Sequence, residues 1–319
     1  MSASQAPRRW RWPWLKPWLG RGLGLLLAIA LIVVLARQAG RIDGAAVGLA
    51  LAEMSPHLLL AATAMALTSH VLYGCLDILG RRYTAHQLPT SLVLLIGTTS
   101  YAFNLCLGSV LGGFACRARL YTRLGLPVGC IARIVTFSLV SNWLGYLLLA
   151  GTVFSLSPPE LPPAWGLPEL ARGGMRWLGL GLLGLGLLYL GLCIWHGGRT
   201  LVFRRQVWSV PRLGLALAQA GVSVGHWATM GALLTLLFQG QVPYVQVLAV
   251  LLVAAVAGAI AHVPAGLGVL EAVFMALLSH RLPAPTVLAA MVSYRLLFYL
   301  LPLGLGTAVF LRLEARRAR

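Results

Sequence analysis

The sequence predicts an all-α polytopic membrane protein with about six full spans and two re-entrant hairpins, and three observations carry that prediction. Hydrophobic residues make up 59% of the chain against 10% charged, and mean hydropathy is +0.84. Apolar stretches of roughly 17 to 25 residues recur along the chain, the length a helix needs to cross about 30 Å of hydrocarbon. No long polar stretch separates them. One membrane domain, residues 22–311, therefore fills most of the 319 residues and leaves no room for a soluble catalytic domain.

Read in order, residues 1–21 form a basic arm in which Arg8, Arg9, Arg11, Lys16 and Arg21 alternate with Trp10, Trp12, Trp14 and Trp18. Tryptophans at that spacing suit interfacial anchors. The apolar run that follows, 22–37, reads as a signal anchor, because Ala36-Arg37-Gln38-Ala39 puts a large charge where a cleavage site wants small residues. Further spans are expected near 57–79, 134–155, 176–196, 213–238 and 285–311, and 312–319 is a short basic tail. Placing the N-terminus inside makes the arm, Arg81 and Arg82, Arg199 to Arg212, and Arg312 to Arg319 all cytoplasmic, with both termini on that side. The opposite side then holds Asp43, Glu53 and the nearly neutral loop Ser157 to Arg172 with Glu160 and Glu169, as the positive-inside rule requires.

Two apolar stretches break this alternation if each crosses once. The stretch 92–115 starts on the basic side and is followed by Arg117, Arg119, Arg123 and Arg133. One crossing would strand four arginines outside, whereas a hairpin that dips in near Gly108, Gly112 and Gly113 returns them. The stretch 245–278 breaks at His262-Val263-Pro264-Ala265-Gly266 and by parity enters and leaves from the outer side. The order span, span, hairpin, span then occurs twice with opposite starts, giving half-repeats of about 22–156 and 174–311. Leu111-Gly112 and Leu126-Pro127 echo Leu267-Gly268 and Leu282-Pro283. Inverted repeats with broken helices are a transporter architecture.

The net charge of +18 does not argue for nucleic acid, because the basic residues sit in short clusters between apolar segments. Cys75, Cys106, Cys116, Cys130 and Cys193 show no paired spacing, so neither a disulfide framework nor a metal cluster is expected. No phosphate-binding GxxxxGK[ST] loop occurs, the single lysine lying in the N-terminal arm, so the chain is not expected to use ATP, and no cofactor is predicted.

Ionisable groups at membrane depth mark the candidate site. Glu271 stands just past the second break, and Arg295, in the otherwise apolar run 287–311 beside Tyr294 and Tyr299, is its expected partner. The pair reads either as a gate or proton relay or as a structural ion pair that fixes the hairpin. Arg117, Arg119 and Arg123 carry guanidinium forks suited to phosphate oxygens, beside the reading of an ordinary basic loop. Asn104 is expected to line the first hairpin. His262 either titrates near neutrality against a headgroup or is a satisfied intramembrane histidine; with Pro264, Gly266 and Gly268 it forms the second break. Asp77 is expected to pair with Arg81 at i,i+4. The glycine run 179–191 reads as close helix packing.

The segments Ser100-Tyr101-Ala102-Phe103-Asn104, Arg117 through Pro127, and His262-Val263-Pro264-Ala265-Gly266-Leu267-Gly268-Val269-Leu270-Glu271-Ala272 resemble the transmembrane flippase domain family of lysylphosphatidylglycerol synthetases. The chain looks like a stand-alone member without the aminoacyl-transferase domain. The resemblance implies a bacterial inner-membrane protein that is not itself a synthase and that handles phospholipid, with polyprenyl-phosphate or hopanoid-type lipids as other cargoes. A phospholipid flippase is the leading expectation. A lipid-binding partner of a membrane enzyme and an intramembrane enzyme acting on lipid stand beside it, and a homo-oligomer is left open.

Overall fold

The computed structural model describes residues 52, 54–162, 166, 168–203, 206–261, 266–278 and 280–315. The arm 1–21, the span 22–37, Asp43 and Glu53, His262 and Pro264, and the last four residues of the basic tail lie outside them. Ten α-helices form the described fold: α1 Pro56–Thr84, α2 Thr90–Gly108, α3 Cys116–Arg123, α4 Val128–Leu156, α5 Pro168–His196, α6 Leu213–Leu237, α7 Tyr244–Ala261, α8 Val269–Leu278, α9 Ala284–Tyr294 and α10 Leu301–Ala315. Two π-helical segments, Ser109–Ala115 and Arg295–Leu300, join α2 to α3 and α9 to α10.

Among the described residues, six stretches are long and apolar enough to cross a membrane: 56–84, 90–108, 128–156, 172–196, 213–237 and 284–315. Five match spans expected from sequence; the sixth, α2, is the first arm of the expected first hairpin. Tyr244–Ile260 and Val269–Leu278 are shorter apolar helices. A short antiparallel strand pair, β1 Thr200–Phe203 with β2 Gln206–Ser209, occupies a stretch that the sequence reads as basic loop.

Local chemistry sets the ends of these elements. Ser55 caps α1 by accepting from the Leu58 amide at 3.3 Å, and Pro56 follows at the first helical position, where its missing N–H costs nothing. Pro127 and Pro283 precede α4 and α9 in extended backbone, a conformation that stops any preceding helix. Gly108, with φ of 82°, turns the chain after α2 in a region that L side chains avoid. The return segment then lies against α2 so closely that a Cβ on Gly112 would sit 2.1 Å from the Phe103 carbonyl oxygen.

The geometry of this reversal follows from its partners. Asp77 of α1 abuts Gly97 on α2 and binds Arg117 on α3, so residues 97 and 117 lie at the same level on either side of the Gly108 turn. Arg81, one turn beyond Asp77, donates to Thr90 at the start of α2. Both ends of segment 90–123 therefore lie at the C-terminal end of α1. Glu314 of α10 binds Arg119 and Arg123 at this same end.

Segment 244–278 reverses likewise, with α8 packed on α7, but at the other end of the bundle. The loop residue Glu160, just past α4, accepts from Arg281 through its side chain and donates its amide to Gln246 at 3.0 Å. Gln246 opens α7 and Arg281 follows α8, so both ends of this second reversal meet at one loop. Since α4 runs 29 residues from the first end to the second, a length of roughly 43 Å at 1.5 Å per residue, the open ends of the two reversals lie at opposite ends of α4. A Cβ on Gly145 would fall 2.2 Å from Ser223 Oγ where α4 crosses α6, the small-residue approach that substitutes for a hydrophobic driving force in lipid. On α5, Gly179 and Gly186 pack closely on α4, whereas Gly181 and Gly184 meet nothing within 4 Å because they face outward; only the first two fit the packing expected of the run.

Candidate functional site

Each reversal carries an arginine–carboxylate pair whose arginine is buried. In the first, Arg117 Nε donates to both Asp77 oxygens at 3.1 and 3.0 Å, and Nη2 donates to Oδ1 at 2.8 Å. Tyr121 and Ser138 complete the carboxylate's shell at 3.0 and 3.1 Å, and Arg117 Nη1 reaches the Gly113 carbonyl at 3.1 Å. Asp77 is fully buried, and only 2% of the Arg117 side chain is exposed. The local Asp77–Arg81 bridge expected from sequence is thereby corrected: a carboxylate without water needs a partner that arrives dry and bidentate, and Arg117 supplies it from the return arm. Arg117 is engaged inside the fold rather than turned toward the basic loop.

In the second reversal the signs are exchanged: the carboxylate is on the return arm. Glu271 accepts from Arg295 Nε at 2.5 Å and Nη2 at 2.9 Å, as the sequence leads one to expect. Glu271 is also the third residue of α8 and accepts from the Gly268 amide at 2.9 Å, capping the helix that it belongs to. Arg295 Nη2 donates to the Gly266 carbonyl at 3.0 Å, and its guanidinium lies 5.1 Å from the Tyr299 ring centre. A single pair thus satisfies an amide and a carbonyl left bare by the Gly266–Gly268 turn. While 3% of the Arg295 side chain is exposed, 23% of the Glu271 side chain is.

The remaining sequence candidates fall outside the two pairs. Arg119 binds Glu314 at 2.9 and 3.2 Å and Arg123 meets the same carboxylate at 2.6 Å, so the two arginines share one carboxylate. Asn104 packs on the return arm, its Oδ1 2.9 Å from where a Gly113 Cβ would be.

Where α6 packs against α1 lies a buried group that sequence reading missed. His226 of α6 contacts Ser69 through Nδ1, at 2.9 Å from the hydroxyl and 3.0 Å from the carbonyl, and meets the Tyr101 hydroxyl through Nε2 at 3.1 Å. One ring nitrogen donating to a carbonyl while the other accepts a phenol proton is the pattern of a neutral imidazole. Tyr101 stacks on Tyr73 at 3.7 Å, and His70 sits between Tyr101 and Phe298 with centroids 4.9 and 4.8 Å away. The His70 Nε2 is buried without a hydrogen-bond partner among the described residues. The signal was available: His70 and His226 stand inside predicted spans, where any ionisable residue invites the question applied to His262.

Comparison with known proteins locates this architecture. The family described as the lysylphosphatidylglycerol synthase TM region matches residues 22–306. The chain belongs to this family. Among its relatives, "Inner membrane protein YbhN" of Escherichia coli (strain K12) is 41% identical over 284 residues, spanning 89% of this chain and 88% of the relative. "Uncharacterized protein slr0712" of Synechocystis sp. (strain ATCC 27184 / PCC 6803 / Kazusa) is 32% identical over 266 residues, or 81% of each. This chain is therefore an integral inner-membrane protein of the lysylphosphatidylglycerol synthase TM family. All three segments that carry the resemblance in sequence fall within the matched residues.

Proposed function

We propose that this protein moves phospholipid between leaflets, with a polar site between the two reversals. The observation that carries this reading is the Glu271–Arg295 pair: a partly exposed carboxylate that simultaneously caps a short helix and closes a broken turn. Breaking that pair frees a carbonyl, an amide and a guanidinium at once, the donors and acceptors a phosphate headgroup needs in place of water. Both reversals act as re-entrant hairpins in this reading, and the basic end, with Arg81, Arg119, Arg123 and Arg312, is cytoplasmic along with both termini. No step of covalent chemistry is assigned to the chain; the substrate is an anionic or zwitterionic membrane lipid.

Headgroup translocation of labelled phospholipid in proteoliposomes tests the proposal. Wild-type protein should accelerate translocation, and Glu271→Gln should abolish it while retaining the folded, monodisperse state. Translocation unchanged in Glu271→Gln, or absent in the wild type with phosphatidylglycerol and phosphatidylethanolamine alike, would overturn it.

A further inference from the structure

A cavity of about 350 Å³, lined by no residue of either reversal, lies where the start of α4, the end of α5, the strand pair and Tyr83 of α1 meet. Its size falls within the range of about 300–1,000 Å³ usual for small-molecule sites. Phe137, Val140, Leu192 and Val210 make its walls largely apolar. Most of its polar groups are already committed to one another: Tyr83 donates to the Ser209 carbonyl at 2.9 Å, Tyr189 donates to Gln219 at 3.1 Å, and Gln219 donates to Ser141 at 2.8 Å. Two are not. His196 Nδ1 is enclosed without a hydrogen-bond partner among the described residues. Arg133 leans on Tyr83, 5.2 Å from its ring centre, and has no carboxylate within ion-pair distance among the described residues.

Charge narrows the occupant. No aspartate or glutamate occurs between Asp77 and Glu160, or between Glu169 and Glu271, so no residue lining the cavity is acidic. The strand pair lies between Arg199 and Arg212, and Tyr83 follows Arg81 and Arg82. An apolar chamber with one uncompensated guanidinium at the basic end of a membrane bundle suits an amphiphile whose tail is apolar and whose head is a phosphate.

We propose that this cavity is a second lipid site, which holds an acyl chain of an anionic phospholipid while Arg133 engages its phosphate. The proposal rests on the lipid-handling reading above only for the class of ligand; the site itself is separate from Glu271 and Arg295. It gives the protein a resident or loading lipid in the leaflet at the basic end.

Native mass spectrometry of the full chain in detergent, titrated with dioleoylphosphatidylglycerol or dioleoylphosphatidylcholine, tests this. Wild type should retain the anionic lipid about ten-fold better than the zwitterionic one. Arg133→Gln should erase that preference, and Arg133→Lys should keep part of it. Val140→Trp, at a partly exposed wall position, should lower retention of both lipids. Both substituted positions face outward, so the thermal transition serves as the control for folding. Equal retention in wild type, Arg133→Gln and Val140→Trp would overturn the site. The same titration on Glu271→Gln separates the two proposals: retained binding with lost translocation supports both, whereas retained binding with intact translocation removes the hairpin mechanism and leaves this site standing.

Discussion

The two reversals solve one problem with opposite charges. In the first, arginine is on the return arm and the carboxylate is on a long helix; in the second, glutamate is on the return arm and arginine is on the long segment. Their surroundings differ more than their chemistry. The Asp77–Arg117 pair is sealed, with Tyr121 and Ser138 filling the remaining acceptor positions. The Glu271–Arg295 pair leaves the carboxylate partly open and ties it to the bare backbone of a glycine turn. A sealed pair loses most when one member is removed, because the survivor is left charged without water. An open pair can be exchanged for another ligand. The difference assigns a structural clamp to the first reversal and, in the proposed mechanism, the moving element to the second.

Asp77→Asn should be the most damaging single change, costing about 3–5 kcal/mol because it strands a buried guanidinium. A broad, early-eluting peak in fluorescence-detected size-exclusion chromatography would register it; a native profile would make the clamp reading wrong. Gly112→Ala should come next, since the new Cβ meets the Phe103 carbonyl and overpacking costs about 1–3 kcal/mol or more. Its thermal transition should fall clearly, whereas Gly181→Ala, in open space, should leave it unchanged.

Glu271→Gln sharpens the comparison from the other side. Its stability loss should be smaller than that of Asp77→Asn, measured by the same thermal transition, because the carboxylate it removes is partly solvated and the amide can still accept from Gly268. Equal losses would erase the distinction between clamp and moving element. Glu314→Ala should cost at most about 1 kcal/mol, since both of its arginines remain within reach of water. The smallest effect concerns the open end of the second reversal. Hydrogen bonding from Arg281 holds the Glu160 carboxyl below its ordinary range. A lowered folded-state value means that the contact contributes above the ordinary carboxylate range and loses that contribution as pH falls through the folded value. A thermal-shift series from pH 7 to pH 3 should therefore show a slightly steeper decline in wild type than in Arg281→Ala.

Much of this was legible because membrane helices announce themselves one segment at a time. Spans 57–79, 134–155, 176–196, 213–238 and 285–311 follow from hydropathy, and each corresponds to a helical stretch in the structure. Glu271 and Arg295 could be matched because each stands out against apolar neighbours. Asp77 misled, since Arg81 supplies a plausible local partner and nothing in the sequence marks Arg117, 40 residues on, as a nearer one.

By itself the sequence determined the solvent in which this protein lives, most of the apolar segments long enough to cross it, the clustering of its basic residues and the Pro and Gly positions where helices must stop. These are local quantities, fixed by hydropathy over a helix length and by the backbone limits of single residues. Only the tertiary structure decided which apolar faces meet protein and which meet lipid. Trp177 on α5 is 76% exposed while Trp227 on α6 is buried, and a hydropathy profile scores both alike. Pairings that depend on those faces, Ser69 with His226 across 157 residues and Arg119 with Glu314 across 195, are invisible for the same reason. In a bilayer the interior and the surroundings are equally apolar, so polarity along the chain cannot say which way a side chain turns.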